Sequence, residues 1–109
     1  MLELFAPDMK LDMSRRTFNP DVYEGHDGLR RFRREMDDVW EEFVITPEQV
    51  IDAGESVVVV ESLRARGRGS GVETSSRSAS VWTVRDGQVV LVSMYHDQTE
   101  ALKALGMDE

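Results

Sequence analysis

Cysteine is absent from this 109-residue chain. Its absence excludes disulfides, thiolate nucleophiles and cysteine-ligated metal sites. Basic residues are also scarce: 13 stand against 21 acidic ones, a net charge of −8. Nucleic-acid binders carry a basic face, so that partner class is not expected. No apolar run is long enough to span a bilayer, and no signal peptide is visible at the start. No membrane partner is therefore expected, and a cytoplasmic location is. Aromatics are few, at 7%, but clustered. The length suits one domain, residues 1–109, with a modest core.

What is present is a long amphipathic helix followed only by strand-like sequence. Leu29, Phe32, Met36, Val39, Trp40 and Phe43 fall at i, i+3, i+7, i+10, i+11 and i+14. That spacing is one face at 3.6 residues per turn, and it predicts a helix opening at Tyr23-Glu24-Gly25-His26-Asp27-Gly28 and ending near Phe43. Arginines fill the first half of its polar side and acids the second, against the helix dipole. Packing must therefore hold it, with some help from Arg30–Asp37 and Arg34–Asp38 pairs. Before it, residues 1–6 read as the last turns of a helix, Met9 to Met13 as a short strand, and Ser14 to Val22 as a loop around Asn19-Pro20-Asp21. After it come four strands: Phe43 to Asp52, interrupted at Thr46-Pro47, then Ser56 to Arg66, Val72 to Arg85 and Gln88 to His96. Asp86-Gly87 is a hairpin signal. A short helix from Gln98 to Leu105 closes at Gly106. Val57–Val60 and Val89–Val92 are apolar on both faces, so the sheet needs a cover on each side. The long helix supplies one. A second copy of the chain is expected to supply the other, as a homodimer through the outer sheet face.

Phe5-Ala6-Pro7-Asp8, Tyr23-x-Gly25-His26-x-Gly28-Leu29-x-x-Phe32, Trp40-x-x-Phe43 and Val81-Trp82-Thr83-Val84-Arg85-Asp86-Gly87-Gln88-Val89 together resemble the SnoaL-like branch of the nuclear-transport-factor-2-like superfamily. The resemblance spans nearly all of the chain. It implies a cone-shaped α+β fold, a curved antiparallel or mixed sheet wrapped around a long helix in the manner of a cystatin-like α+β barrel, with an apolar pocket inside. Such a fold hosts many chemistries. Members usually begin with an extra helix and most of a second before the position of Leu2; either the gene start is set late here or the protein lives without that lid, and a missing first helix would leave one wall of the cone open. In the ketosteroid isomerases of this group, the base and the second acid would align with Met13 and near Ser80. Neither is an acid, which argues against that reaction. The epoxide hydrolases' Asp-Arg-Asp arrangement would have to draw on Asp12, Arg64 and Arg77, and nothing in their spacing demands it.

His96 is the sharper candidate. It follows Val90, Val92 and Met94 at period 2 and should share their face. With a three-residue loop at Arg85-Asp86-Gly87 and a bulge at Gly87, that face also carries Ser80 and Trp82. A two-residue turn would instead pair Trp82 with Leu91. The first agrees with the family pattern. His96 would then be a general base or hydrogen-bond donor, with Asp12 as a second acid–base group. The alternative is a half-wet histidine at a strand end. Tyr23, His26, Trp40, Ser80, Trp82 and Met94 are the expected pocket lining; most would serve equally well as core. Asp97 and Glu100 have capping-box spacing. Arg64-x-Arg66-Gly67-Arg68-Gly69 reads as a glycine hairpin with solvated arginines. The histidines lack ligand spacing, so no metal and no cofactor is expected.

The expected function is binding of a small hydrophobic molecule in an internal pocket. The alternatives are acid–base catalysis by an isomerase, cyclase or hydrolase of a polyketide-like or terpenoid substrate, and a non-catalytic dimerisation module.

Overall fold

A computed structural model describes residues 2–15 and 20–106. Met1 and Asn19, which entered the readings of the amino-terminal turns and the loop, lie outside them. The fold is α+β, with one six-stranded mixed sheet and two helices. A 3-10 turn, Leu2–Leu4, leads directly into β1, Phe5–Asp12. The expected helical turns are thus cut to one short turn, and the strand begins four residues early. Then follow β2 (Val22–Glu24), α1 (Gly25–Val39), β3 (Trp40–Ala53), β4 (Ser56–Gly67), β5 (Glu73–Arg85), β6 (Gln88–Tyr95) and α2 (Gln98–Ala104).

The strands lie in the order β2-β1-β6-β5-β4-β3. Only β1 and β6 run parallel. Their pairing jumps from Phe5↔Val89 to Lys10↔Leu91, so residues 6–9 bulge out of the ladder. Pro7 sits there, where its missing N–H costs no ladder bond. At the far edge β3 is one continuous strand, where an interruption was expected. Pro47 pairs with Glu61 and Gln49 with Val60, which leaves Glu48 as the extra residue of a bulge. An edge strand tolerates proline because one side of it has no partner, and a bulge with charges discourages edge-to-edge pairing.

α1 stops at Val39, four residues before the apolar spacing runs out. Trp40 is already extended, at φ −116° and ψ 128°. Trp40 and Phe43 meet the helical spacing but belong to β3, their rings 6.4 Å apart. The stop is fixed from outside. Arg68, in the β4–β5 loop, donates from Nε to the Asp37 carbonyl at 2.8 Å and from Nη2 to the Trp40 carbonyl at 3.2 Å. Its N–H reaches the Val39 carbonyl at 3.0 Å. No basic residue lies in the last turn of α1, so an arginine from another element satisfies its terminal carbonyls and their negative dipole end. This is the work of one arginine in a stretch expected to be merely solvated; Arg66 pairs with Glu41 at 2.8 Å. The pairs on α1 also differ from expectation. Arg30 joins Asp27, three residues away, in place of Asp37, seven away, and Arg31 joins both Glu35 and Asp21.

The core has two parts, one on each face of the sheet. On the α1 face, Met9, Leu11, Met13, Tyr23 and Val92 pack with Leu29, Phe32, Trp82 and Met94. On the other, Val58, Ala79 and Val81 pack with Ala101 and Leu102 of α2. α2 carries the expected box: Asp97 accepts from the Glu100 N–H at 2.9 Å, and Glu100 reaches back to the His96 N–H at 3.2 Å.

α1 is pinned hard against β2. A Cβ on buried Gly28 would lie 2.9 Å from the Tyr23 carbonyl carbon. Alanine is intrinsically the better helix residue by about 1 kcal/mol, but a clash with backbone has no rotamer to escape into. Gly28→Ala should lower stability by about 1–3 kcal/mol. A urea midpoint equal to or above that of the native chain would contradict the close contact.

Candidate functional site

The site follows from which side chains share the α1 face. Register pairs Val57 with Trp82, Val59 with Ser80, Glu61 with Ser78 and Leu63 with Ser76. It pairs Trp82 with Val92 and Ser80 with Met94. Trp82, Val92 and Met94 pack in the α1 core. Side chains alternate across a strand, so Val57, Val59, Glu61 and Leu63 share that face. The β5–β6 pairing is the one favoured from sequence, reached by another route. The tip is a two-residue turn, Asp86 (φ 53°) and Gly87 (φ 78°), with Arg85 opposite Gln88. Both positive φ values suit a primed hairpin turn. Thr83↔Leu91 followed by Val84↔Val89 leaves Val90 as a bulge, which restores the register one residue on.

This face is half covered. Val57, Val59, Leu63, Trp82 and Met94 are each only partly buried, and β3 beyond them is open, with Ile45 49% and Val50 65% exposed. Within this apolar surface lies a polar group. Glu61 is 5% exposed and Ser80 1%. The Trp82 indole donates to Ser80 Oγ at 2.9 Å. Ser78 Oγ, on the residue opposite Glu61, is buried without a partner. Burial pushes the Glu61 carboxyl above its ordinary value of 4.5; the Ser80 hydroxyl opposes this without overcoming it. Among the described residues no basic group offsets the cost, so desolvation wins.

Sequence reasoning passed over Glu61. A signal was available: a single carboxylate ending a run of four valines, in phase with Val57 and Val59 and opposite a serine.

The residues singled out from sequence are placed as follows. Ser80, Trp82 and Met94 come together on the α1 face. Tyr23 is buried on that side, and its hydroxyl donates to Glu35 at 2.6 Å while the Arg31 guanidinium lies 4.3 Å over its ring. The Tyr23 hydroxyl, ahead of Arg31, holds the Glu35 carboxyl below its ordinary value. His26 Nε2 meets the Phe5 carbonyl at 2.9 Å, and Phe5 lies 6.3 Å from the Trp82 ring. The motif residues Phe5, His26 and Trp82 thus form one physical chain joining α1, β1 and β5. Trp40 is half-buried at the α1–β3 junction. Asp12 pairs with Ser93, which puts it on the face away from Trp82. Its carboxyl is pushed up by burial, yet Ser14 and Arg15 outweigh this and hold it below its ordinary value. His96 lies just past β6 with its side chain 62% exposed, and Nδ1 is 3.4 Å from Glu100. His96 and Asp12 are therefore not brought to the Trp82 face. Among the described residues no three histidine or acidic side chains converge as a metal site would require. Val44, Thr46, Ser62, Arg64, Ser75 and Arg77 of the outer face, together with Leu63 and Ser76, line an open groove of roughly 350 Å³.

Comparison with known proteins agrees with this geometry. The family model of the SnoaL-like domain matches residues 1–92. A nuclear-transport-factor-2-like protein of Burkholderia thailandensis superposes with a TM-score of 0.79 at 24% identity, over 100% of this chain and 83% of that one. A protein of Catenulispora acidiphila with a ketosteroid isomerase-like fold, solved with trimethylamine, gives 0.76 at 17% identity, over 97% and 79%. A proposed SnoaL-like polyketide cyclase from Jannaschia gives 0.74 at 19%, over 98% and 76%. At these identities the likeness is one of fold. Comparison with curated proteins finds no match.

The buried carboxyl has a measurable cost. Because the folded-state pKa of Glu61 is raised, the folded chain holds this proton more tightly than the unfolded one. Its contribution to stability therefore falls as pH rises from about 4.5 through the folded value. Glu61→Gln removes the charge and keeps the shape. It should raise the thermal midpoint at pH 7, and its advantage should shrink as pH falls toward 4.5. An advantage independent of pH, or none at neutral pH, would contradict a desolvated carboxyl.

Proposed function

The chain belongs to the SnoaL-like domain family, and from that premise we propose that it binds a small hydrophobic molecule on the open part of the α1 face. The observation that carries this reading is the half-covered apolar surface of Val57, Val59, Leu63, Trp82 and Met94 around Glu61, Ser78 and Ser80. An apolar recess with a few convergent polar groups is the usual make-up of a small-molecule site. Tyr23 and His26 belong to its structural wall, because both are engaged with α1 and β1. If the site also performs acid–base chemistry, on a polyketide-like or terpenoid substrate, Glu61 is the group in position for it. His96 and Asp12, assigned that role from sequence, keep company with Glu100 and with Ser14 and Arg15.

We further propose that the chain pairs with a second copy through the outer sheet face. The groove there carries charges of both signs, with Arg77 bound to Glu48 at 2.7 Å and Arg64 beside it. Such a surface can be self-complementary across a two-fold axis.

Two experiments test these readings. In amide and indole NMR spectra titrated with 1-ethylnaphthalene, shifts should cluster at Val57, Val59 and the Trp82 indole, and Val59→Glu should weaken binding at least about fivefold, the effect of roughly 1 kcal/mol. Shifts confined to the Val44–Arg64 face, or none, would contradict the site. Sedimentation at micromolar concentration should give twice the chain mass, and Arg64→Glu should shift it toward monomer. Monomer throughout would contradict the pairing.

A further inference from the structure

Glu61 is nearly dry and lacks a counter-ion. It is 5% exposed, and register fixes its neighbours: Pro47 on β3, Ser78 on β5, and Val59 and Leu63 two residues away along β4 on the same face. None of these carries a positive charge. Arg64 and Arg77 alternate to the outer face. Other glutamates are supplied: Glu35, Glu41, Glu48 and Glu100 each pair with an arginine or a histidine. Among the described residues no basic side chain pairs with Glu61. Buried charges in proteins are paired, because an isolated one is costly to the fold. Beside Glu61, Ser78 Oγ is buried with no hydrogen-bond partner. The two residues are a cross-strand pair, with Cβ atoms about 5 Å apart as such pairs are. A carboxylate and a hydroxyl, both able to accept, thus stand together in apolar surface.

We propose that Glu61 and Ser78 hold the ammonium group of a hydrophobic amine. The proposal rests on the reading that the open α1 face takes a hydrophobic ligand, and it names that ligand's charged end. An ammonium carries several N–H donors on one compact charge, enough for the carboxylate and the hydroxyl together. Hydrogen bonds to a charged partner are about twice as strong as neutral ones. Burial alone disfavours the Glu61 anion; a cation held against it reverses that preference. Val57, Val59, Leu63 and Met94 hold the hydrocarbon body. That apolar lining separates the ligand from a bare metal ion, which needs several oxygen or nitrogen ligands. Among the described residues no three histidine or acidic side chains converge to give them. The net charge of −8 favours the approach of a cation over an anion.

Three probes of one shape test this: 1-naphthylmethylammonium, 1-naphthylmethanol and 1-ethylnaphthalene, titrated into the native chain and read from the Trp82 indole resonance. The titrations are run at about 0.15 M salt, where the general field of an acidic chain is screened. The ammonium should bind at least about tenfold more tightly than either neutral probe, the effect of a charge-assisted hydrogen bond. Glu61→Gln, which loses the charge and keeps the shape, should bring the three probes within about threefold of one another. Ser78→Ala should cut the ammonium's advantage by about threefold or more. The native comparison and Ser78→Ala carry the test if Glu61→Gln does not fold. Equal binding of ammonium and hydrocarbon would overturn the proposal and leave the hydrophobic site standing. An ammonium preference that survives Glu61→Gln would overturn it by placing the charge elsewhere. Tightest binding of the alcohol would overturn it in favour of a neutral Glu61, and an unchanged preference in Ser78→Ala would overturn the pairing of the two side chains. Binding of none of the three would overturn both readings.

Discussion

A helix of 15 residues, about 22 Å long, must serve a sheet six strands wide. It cannot cover all of it, and where it is fastened decides what stays bare. α1 is fastened at the β1–β2 side: Gly28 fits against the Tyr23 backbone, the Tyr23 hydroxyl holds Glu35, and His26 meets the Phe5 carbonyl in the β1 bulge. Arg68, in the β4–β5 loop, then ends the helix. The consequence is a filled core over β1, β6 and part of β5, and a half-empty face over β4 and β3. Glu61, itself 5% exposed, lies on β4 beside that open part.

That placement gives Glu61 its character. A carboxyl in apolar surroundings with no cation nearby is costly when charged. Other acids on the chain show the contrast. Glu35 and Asp12 have donors that outweigh desolvation, and they tie local structure together. Glu61 has one hydroxyl for company, itself committed by Trp82 to a single direction. A fold needing only packing at this position would do better with valine, as at Val57 and Val59. Family membership does not choose the ligand, because relatives at 17–24% identity share the cone and its topology but leave the lining free to differ.

Much of the fold was legible because periodicity and turn chemistry are local. The helix, the strand order after it, the Asp86-Gly87 turn and the Asp97–Glu100 box can all be read from spacing. The misreadings share a cause: a non-local contact overruled a local pattern. The i+11 and i+14 positions of Trp40 and Phe43 fit a helix, but Arg68, 28 residues on from Trp40, closes it at Val39. Pro47 looked like a break, but β3 is an edge strand and absorbs it with a bulge. Val90 bulges out of β6, so a two-residue turn yields the register expected of three. The site was less legible than the fold. Ser80, Trp82 and Met94 were found by alternation. Glu61 was missed because its burial depends on β3 and β5 on either side of it, and its only local mark is a carboxylate in phase with Val57 and Val59.

The account's central claim is that the uncovered part of the α1 face, with Glu61 at its polar end, is where a ligand sits. Intermolecular nuclear Overhauser effects from bound 1-ethylnaphthalene test it most directly. The account predicts contacts from the ring protons to the methyl groups of Val57, Val59, Leu63 and Met94. Contacts to Val44 and Thr46 on the opposite face instead would contradict it.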